Sequence, residues 1–275
     1  DVEKAVCISK GKLINLKARK YVLCCGGIEN SRILLWTKFK NKNLLKNNSI
    51  IGKYWMTHYW ILGGIGFVDL KNFRSYLQSN FLDNEGVIHI ASNERNIEDK
   101  LQSGLYLSTN EDLNFVKEMA KRILCVAPEY GKKIAKLILN KSLKCGNIFM
   151  HLEEEPILDN KIVLDEKNKD ANQIPLAKIV YKSTMNSKKN AKSDLEKLAN
   201  FFKSKDLGRV ALADEIYNLE EFENLGNYHH MGGTRIGSTI KDSVIDNNFK
   251  MHDVKNLYVV GSSNFSFGTF KNPTF

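Results

Sequence analysis

The first forty residues change from strand-like to helix-like spacing of apolar positions. KLINLKA alternates apolar and polar residues, and YVLCC is a short apolar run that ends at Gly26 and Gly27. ENSRILLWTKF then carries apolar side chains at helical spacing. The pattern predicts a strand, a buried strand, a glycine turn and a helix. Such a turn can admit a phosphate or ribose to the helix N-terminus, or can serve a tight bend for steric reasons alone.

From residue 59 to 224 short strand-like runs alternate with helical stretches. The runs are WILGGIGFVDL, GVIHIAS, GLYLSTN, NIFMHLE, KIVLD and LAKIVY. Helices are predicted at 112–125 and 187–204. The second has an apolar face and is followed by Gly208 just past its end; the face comprises Ala191, Leu195, Leu198, Ala199 and Phe202. This order predicts a sheet flanked by helices, inserted between two α/β segments.

The charge balance is basic but does not indicate a nucleic-acid partner. Lys and Arg number 41 against 31 Asp and Glu, a net charge of +10. The excess is mostly lysine, whereas base and phosphate recognition favours the forked guanidinium of arginine. We therefore expect a solvated basic surface. No apolar run approaches the roughly 18–20 residues that span a bilayer, so no integral membrane segment is expected.

The cysteines and histidines do not have metal-site spacing. The five cysteines are odd in number and lack a CxxC pair, and Cys24 and Cys25 are expected to pack as small apolar residues. The six histidines include no pair spaced i, i+4 with a nearby acid. No metal site is predicted. The sequence begins with Asp1 and leaves the location open between cytoplasm and periplasm.

The last fifty residues concentrate polar groups around a predicted strand. His229 and His230 precede a glycine-rich turn, and the apolar run Leu257–Val260 ends at Gly261 and Ser262. Ligands of α/β sheets bind at the carboxyl ends of strands, so a ligand site is one interpretation. The same residues could instead be caps of structural loops.

These segments resemble the glucose–methanol–choline (GMC) oxidoreductases, flavoproteins that oxidise alcohols. HHMGGTRIGS, SVIDNNFKMHDVKNLYVVGSSNF and NPTF are similar to the family's C-terminal block. CCGGIENSRILL and IGKYWMTH resemble its second block, and HLEEEPILDNKIVLDEKNKDANQIPLAKIVY resembles part of its substrate domain. The three matches keep the family's order along the chain.

The resemblance implies an α/β fold with an α+β insert. It divides the chain into an incomplete Rossmann-like FAD-binding domain at 1–58, an inserted antiparallel-sheet substrate domain at 59–224, and a return to the FAD-binding domain at 225–275. The family's N-terminal GxGxxG unit and its C-terminal helix have no counterpart here. We therefore expect a fragment of a longer protein.

The resemblance also implies the catalytic residues. A gapless match of the segment from His229 to Gly237 puts His229 at the family's catalytic histidine, and His230 takes that place only if a gap is introduced. Asn272 matches the residue that orients the substrate hydroxyl. His58 matches a position in the second block to which no role is assigned.

The resemblance implies FAD as the cofactor. Gly26 and Gly27 are predicted to lie near its adenosine half. Gly261 and Ser262 are predicted to contact its pyrophosphate and ribityl chain. The predicted neighbours of its isoalloxazine ring are Asn272, Pro273 and Thr274.

The implied activity is oxidation of a CH–OH group by hydride transfer to flavin. An imidazole with a reference pKa of about 6.5 suits the base, and an Asn amide can hydrogen-bond the substrate oxygen. The substrate would be a small sugar, polyol or other alcohol, and oxygen, a quinone or a cytochrome could accept the electrons. The alternative is a catalytically degenerate relative that acts as a basic binding module for nucleic acid or polysaccharide.

Overall fold

The structure, a computed structural model, describes residues 1–77, 87–91, 103–108, 143–221 and 228–268. These residues belong to two compact units. The first unit comprises Asp1–His58, Glu154–Ser183 and Asn227–Phe275, and the second comprises Tyr59–Glu153 and Thr184–Gly226. The helix predicted at 112–125 lies outside the described residues.

The secondary structure alternates strands and helices along the chain. The strands are β1 (Ala5–Ser9), β2 (Lys12–Leu16), β3 (Tyr21–Leu23), β4 (Tyr59–Asp69), β5 (Val87–Ala91), β6 (Ser103–Ser108), β7 (Leu143–Leu152), β8 (Lys161–Lys169), β9 (Pro175–Val180), β10 (Gly208–Leu212) and β11 (Leu257–Val259). The helices are α1 (Gly26–Lys40), α2 (Leu70–Leu77), α3 (Met185–Ser204) and α4 (Asp214–Asn218), and a 3₁₀ turn spans Ser262–Asn264. The prediction of a mixed α/β protein is confirmed.

In the first unit, β3 and β11 form a parallel pair beside α1, with Tyr21 opposite Leu257. The core of the unit joins residues far apart in sequence and includes Leu34 of α1, Ile50, Val244 and Val259. The strands β1 and β2 form one antiparallel hairpin, and β8 and β9 form another.

The prediction that YVLCC is buried is wrong in this chain. Val22 is 61% exposed, and Cys24 and Cys25 are exposed as well. The physical reason is that, among the residues the structure describes, β3 pairs with a strand on one side alone, β11. An apolar run in an edge strand is indistinguishable in sequence from the same run in a central strand.

The second unit is built on an antiparallel sheet in the order β10-β4-β7-β6-β5. Helix α3 begins after Thr184, whose hydroxyl oxygen accepts a 3.1 Å hydrogen bond from the Ser187 N–H. Its buried residues include four of the predicted apolar face: Ala191, Leu195, Leu198 and Phe202. Gly63 of β4 lies so close that an added Cβ would meet Leu195 at 3.1 Å.

Two predicted boundaries differ from the structure. Helix α3 ends at Ser204 with Lys205 as its cap, and Gly208 begins β10 instead of capping the helix. The range 154–183, assigned from sequence to the continuous insert 59–224, belongs to the first unit. The reason is that its hairpin packs on α1 through Arg32 and bonds residue 52, with Ile162 N–H donating to Gly52 O at 2.7 Å.

Arg32 of α1 holds the β8–β9 hairpin by several charged and polar contacts. Its guanidinium donates to Asp170 at 2.6 Å, to Glu29 at 3.1 Å and to the Pro175 carbonyl at 2.7 Å. The side chain is 12% exposed. The bond from Arg32 lowers the pKa of Asp170 below its usual range.

We expect Arg32→Met to lower the unfolding temperature of the first unit by roughly 2–6 °C, because it leaves Asp170 and the Pro175 carbonyl without their donor. Because the folded-state pKa of Asp170 is depressed, its contribution is present above the usual carboxyl range and is lost as pH falls through the folded pKa. The difference between wild type and variant should therefore shrink on acidification. Thermal melts at pH 7 and pH 3 measure it, with Arg209→Met on an exposed arginine as control. Equal melts for both variants would contradict the expectation.

Candidate functional site

Two glycine turns lie at one edge of the parallel pair. Strands β3 and β11 run in the same direction, and Gly26 and Gly261 follow their carboxyl ends. Both glycines have positive φ, +88° and +121°, which side chains other than glycine rarely adopt. A Cβ at Gly26 would meet no atom within 4 Å. This edge is where open α/β sheets bind ligands.

Helix α1 starts at this edge without a side-chain cap. Its N-cap residue is Cys25, which makes no side-chain capping hydrogen bond, and the single acid of its first turn is Glu29. The first N–H groups of a helix have no partner within the helix and carry the positive end of its dipole. The edge therefore offers backbone donors suited to a phosphate group.

Asn30, completely buried, joins the two turns. Its Oδ1 accepts from the Cys25 N–H at 2.8 Å, while its Nδ2 donates to the Val260 carbonyl at 3.1 Å and to Ser263 Oγ at 2.8 Å. One side chain thus fixes the spacing between the loop after β3 and the loop after β11.

Gly27 and Ser262 both contact the backbone of the histidine segment. An added Cβ at Gly27 would lie 2.3 Å from the His230 carbonyl oxygen. Ser262 Oγ donates to the same oxygen at 2.7 Å, and the Gly232 N–H donates to the Ser262 carbonyl at 3.2 Å. These contacts give both residues a packing role, and their contact with FAD stays a prediction.

His229 is paired with His58. Met56 and Met231 exchange backbone hydrogen bonds of 2.8 and 2.9 Å in an antiparallel bridge, which brings residue 58 opposite residue 229. The two Nδ1 atoms lie 3.0 Å apart, and the rings meet edge to face with centroids 4.9 Å apart. His58 is 3% exposed, whereas His229 is partly exposed. The buried ring therefore holds the more accessible one.

His230 has different surroundings from His229, as alternation along an extended segment requires. Its ring stacks on Trp55, with centroids 5.7 Å apart and planes 28° apart. Burial, and secondarily the charge of His229, lower the pKa of His230 below its usual value. Its buried Nδ1 has no hydrogen-bond partner among the described residues.

The Gly-Gly-Thr-Arg turn is anchored by its threonine. Thr234 is completely buried, with its hydroxyl 2.7 Å from Ser263 Oγ and 3.0 Å from Asn264 Oδ1. Arg235 lies over the ring of Tyr54, 4.4 Å from the centroid. The spacing between the histidine segment and the loop after β11 therefore rests on buried polar contacts.

Three further predictions concern the residues at the end of the sequence, metal binding and membrane-spanning segments. Asn272, Pro273 and Thr274 fall outside the described residues. Within the described ranges no cluster of three His, Cys, Asp or Glu side chains could hold a metal ion. In the same part of the chain no helix is both long and apolar enough to cross a membrane.

Two central residues of this site have no role assigned by the sequence. His58 only matches a position in the second block, and Asn30 only lies in the first turn of the predicted helix. The Gly-Gly-Ile-Glu-Asn segment contained the signal for Asn30, because a polar residue one turn into a helix after a glycine turn can bond back to the turn. The role of His58 could be found only from its contact with His229, which lies 171 residues away in sequence.

Comparison with known sequences identifies relatives among alcohol- and sugar-oxidising enzymes. The chain is 25% identical over 264 residues to 2-methyl-1,2-propanediol dehydrogenase of Mycolicibacterium austroafricanum, covering 94% of this chain and 46% of that protein. It is 24% identical over 254 residues to the fructose dehydrogenase large subunit of Gluconobacter japonicus, covering 88% of this chain and 42% of that protein. The chain thus spans less than half the length of these relatives.

Solved structures show the same fold. An FAD-dependent oxidoreductase from Chaetomium thermophilum matches 98% of this chain with 56% of its own, at a TM-score of 0.57 and 13% identity. Pyridoxine 4-oxidase from Mesorbium loti matches 98% of this chain with 51% of its own, at a TM-score of 0.56 and 11% identity.

The family profile described as GMC oxidoreductase matches residues 156–275. That range contains His229, the Gly-Gly-Thr-Arg turn, β11 and Gly261. It includes the segments at the end of the sequence that carry the resemblance. Residues 156–275 are therefore similar to the GMC oxidoreductase family, and the two relatives align with 94% and 88% of the chain.

Proposed function

We propose that this chain is part of an FAD-dependent oxidoreductase that oxidises a CH–OH group. The observation that carries the proposal is the convergence in one unit of two glycine turns, an uncapped helix start and His229. The turns suit a dinucleotide, and the histidine suits proton transfer.

The two units correspond in this proposal to two functional parts. The first unit, with the parallel pair β3–β11 and helix α1, is the Rossmann-like FAD-binding part. The second unit, with its antiparallel sheet, is the substrate-binding part. A parallel pair followed by ligand-facing turns supports the first assignment. The second assignment is in keeping with the general rule that one fold can serve many substrates.

The residues at the sheet edge fit FAD. The open space beside Gly26 and the uncapped start of α1 can receive a dinucleotide, with its phosphates at backbone N–H groups. Gly261 and Ser262 line the neighbouring turn. When bound, the flavin supplies hydride acceptance from the alcohol carbon. The neighbours' names support this cofactor, since one of them is described as FAD-dependent.

His229 takes the hydroxyl proton of the alcohol in this proposal. Its Nδ1 is engaged with His58 at 3.0 Å, so its Nε2 remains for the substrate. A neutral imidazole is suited to accept a proton near pH 7. Asn272 fixes the orientation of the substrate oxygen by a hydrogen bond from its amide.

The substrate class is a small alcohol, polyol or sugar. The relatives' names refer to a diol and to fructose, which supports this breadth and favours none of its members. Oxygen, a quinone or a cytochrome could accept the electrons from the reduced protein.

The proposal is tested by purifying the whole protein and mixing it anaerobically with a panel of diols, linear alcohols and hexoses. Bleaching of flavin absorbance by at least one compound is the expected result. A protein that binds no FAD after refolding would contradict the proposal. Salt-dependent binding of RNA or polysaccharide by such a flavin-free protein would favour a basic binding module instead.

Asn272→Ala should slow flavin reduction and also raise KM, because the amide bonds the substrate before the proton moves. We expect about a tenfold loss or more in kcat/KM, the equivalent of one hydrogen bond to a reacting group. Stopped-flow reduction at varied substrate concentration separates the two effects, and Lys271→Ala serves as the neighbouring control. A normal KM together with a normal rate would remove Asn272 from the site.

A further inference from the structure

We propose that His58 is a positioning residue which accepts a hydrogen bond from Nδ1–H of His229 and thereby keeps Nε2 of His229 free of hydrogen. The inference rests on the proposed function, in which His229 is the base. It assigns to the second-block histidine a role that neither the sequence nor the comparisons give.

The contact geometry limits the protonation states of the pair. A hydrogen bond between two Nδ1 atoms 3.0 Å apart requires one hydrogen between them, on one ring or the other. If His58 were the donor, His229 would carry its hydrogen on Nε2 and could not accept a proton there. If His229 is the donor, its Nε2 has a free lone pair. The second assignment alone makes His229 a base.

The same assignment holds after the proton has moved. An imidazolium donates from both nitrogens, so a protonated His229 needs an acceptor at the His58 Nδ1 position. Because the Nδ1 atom of His58 is already a hydrogen-bond acceptor, neither ring must change its tautomer or orientation during the reaction. This is the role that an orienting group plays for the histidine of a hydrolase triad, performed here by a neutral ring.

The backbone keeps the two rings in place. The Met56–Met231 bridge fixes the register of the two segments. Two residues beyond Met231, the Gly233 carbonyl accepts a 2.7 Å hydrogen bond from the Gly52 N–H. His58 is 3% exposed, so its ring has little freedom to turn. A buried imidazole on a fixed backbone is suited to set the tautomer of a neighbour.

The test compares three substitutions of His58 in the whole, flavin-loaded protein. The Asn side chain can present its oxygen near the Nδ1 position, Gln presents its amide one bond further out, and Leu presents no acceptor. We expect His58→Leu to slow flavin reduction about 10–100-fold, the usual effect of losing an orienting partner. His58→Asn should be at least about fivefold faster than His58→Gln. His252→Leu, at a histidine bonded to Ser243, is the matched control and should leave the rate unchanged.

A second readout does not depend on activity. Nitrogen chemical shifts of ¹⁵N-labelled histidine report which ring nitrogen carries hydrogen, and His229→Gln identifies the relevant signals. We expect the Nδ1–H tautomer of His229 in the wild type and a mixture in His58→Leu. If His58→Leu fails to fold, the tautomers and rates of the Asn and Gln variants decide the question in the same way.

The outcomes separate this inference from the proposed function. An Nε2–H tautomer of His229 in the wild type, or equal rates for wild type and folded His58→Leu while His229→Ala is inactive, would overturn the positioning role alone. If His229→Ala reduces flavin normally, the assignment of the base fails, and the tautomer measurement still tests the hydrogen bond.

Discussion

Replacing His229 with alanine should slow the reduction of bound flavin by an alcohol about 10²–10⁴-fold, the usual contribution of general acid–base catalysis. The loss arises because His229 is the group that we propose takes the hydroxyl proton as the hydride leaves the carbon. The variant should retain FAD, since His229 bonds to His58 and the glycine turns are held by Asn30. Stopped-flow absorbance of the flavin measures the rate, and its spectrum measures the occupancy.

His230→Ala is the matched control for this experiment. The ring of His230 stacks on Trp55, while His229 contacts His58. We therefore expect the His230 variant to lose stability more than rate. If His230→Ala is the inactive variant and His229→Ala is near wild type, the assignment of the base is off by one residue. If neither variant changes the rate, this segment does not supply the base.

Replacing Asn30 with alanine should weaken FAD binding about tenfold or more and also destabilise the first unit. Alanine leaves the Cys25 N–H, the Val260 carbonyl and Ser263 Oγ without this partner, at a cost of about 1–3 kcal/mol for each group that stays buried and unsatisfied. The two turns that we propose to receive the cofactor would then lose the side chain that hydrogen-bonds to both of them. Because a bound cofactor stabilises the folded state, both effects should appear together.

The measurement is a flavin dissociation constant with a thermal melt in the presence and absence of added FAD. Asn43→Ala, at an exposed asparagine beyond the end of α1, is the control and should change neither quantity. A destabilised Asn30 variant with unchanged FAD affinity would show that the side chain supports the core and does not set the spacing of the turns.

Local patterns predicted two helices because short-range physics decides them. Apolar spacing predicts α3, and a glycine turn after an apolar run marks the start of α1. The same patterns misjudged Val22, since exposure of a strand depends on which strands lie beside it. They also misjudged Gly208, because a glycine can begin a strand as readily as it can cap a helix.

The sequence by itself indicated the resemblance to the GMC oxidoreductases, His229 as the candidate base, and the glycine turns, because these depend on residue types at fixed spacing along the chain. The tertiary structure alone decided that His58 meets His229, that Asn30 bonds the Val260 carbonyl 230 residues away in sequence, and that the range 154–183 packs with α1. The physical reason is that a hydrogen bond acts over about 3 Å in space and leaves no periodic trace in the sequence of either partner. Such pairs are fixed by backbone register, here by the bridge between Met56 and Met231.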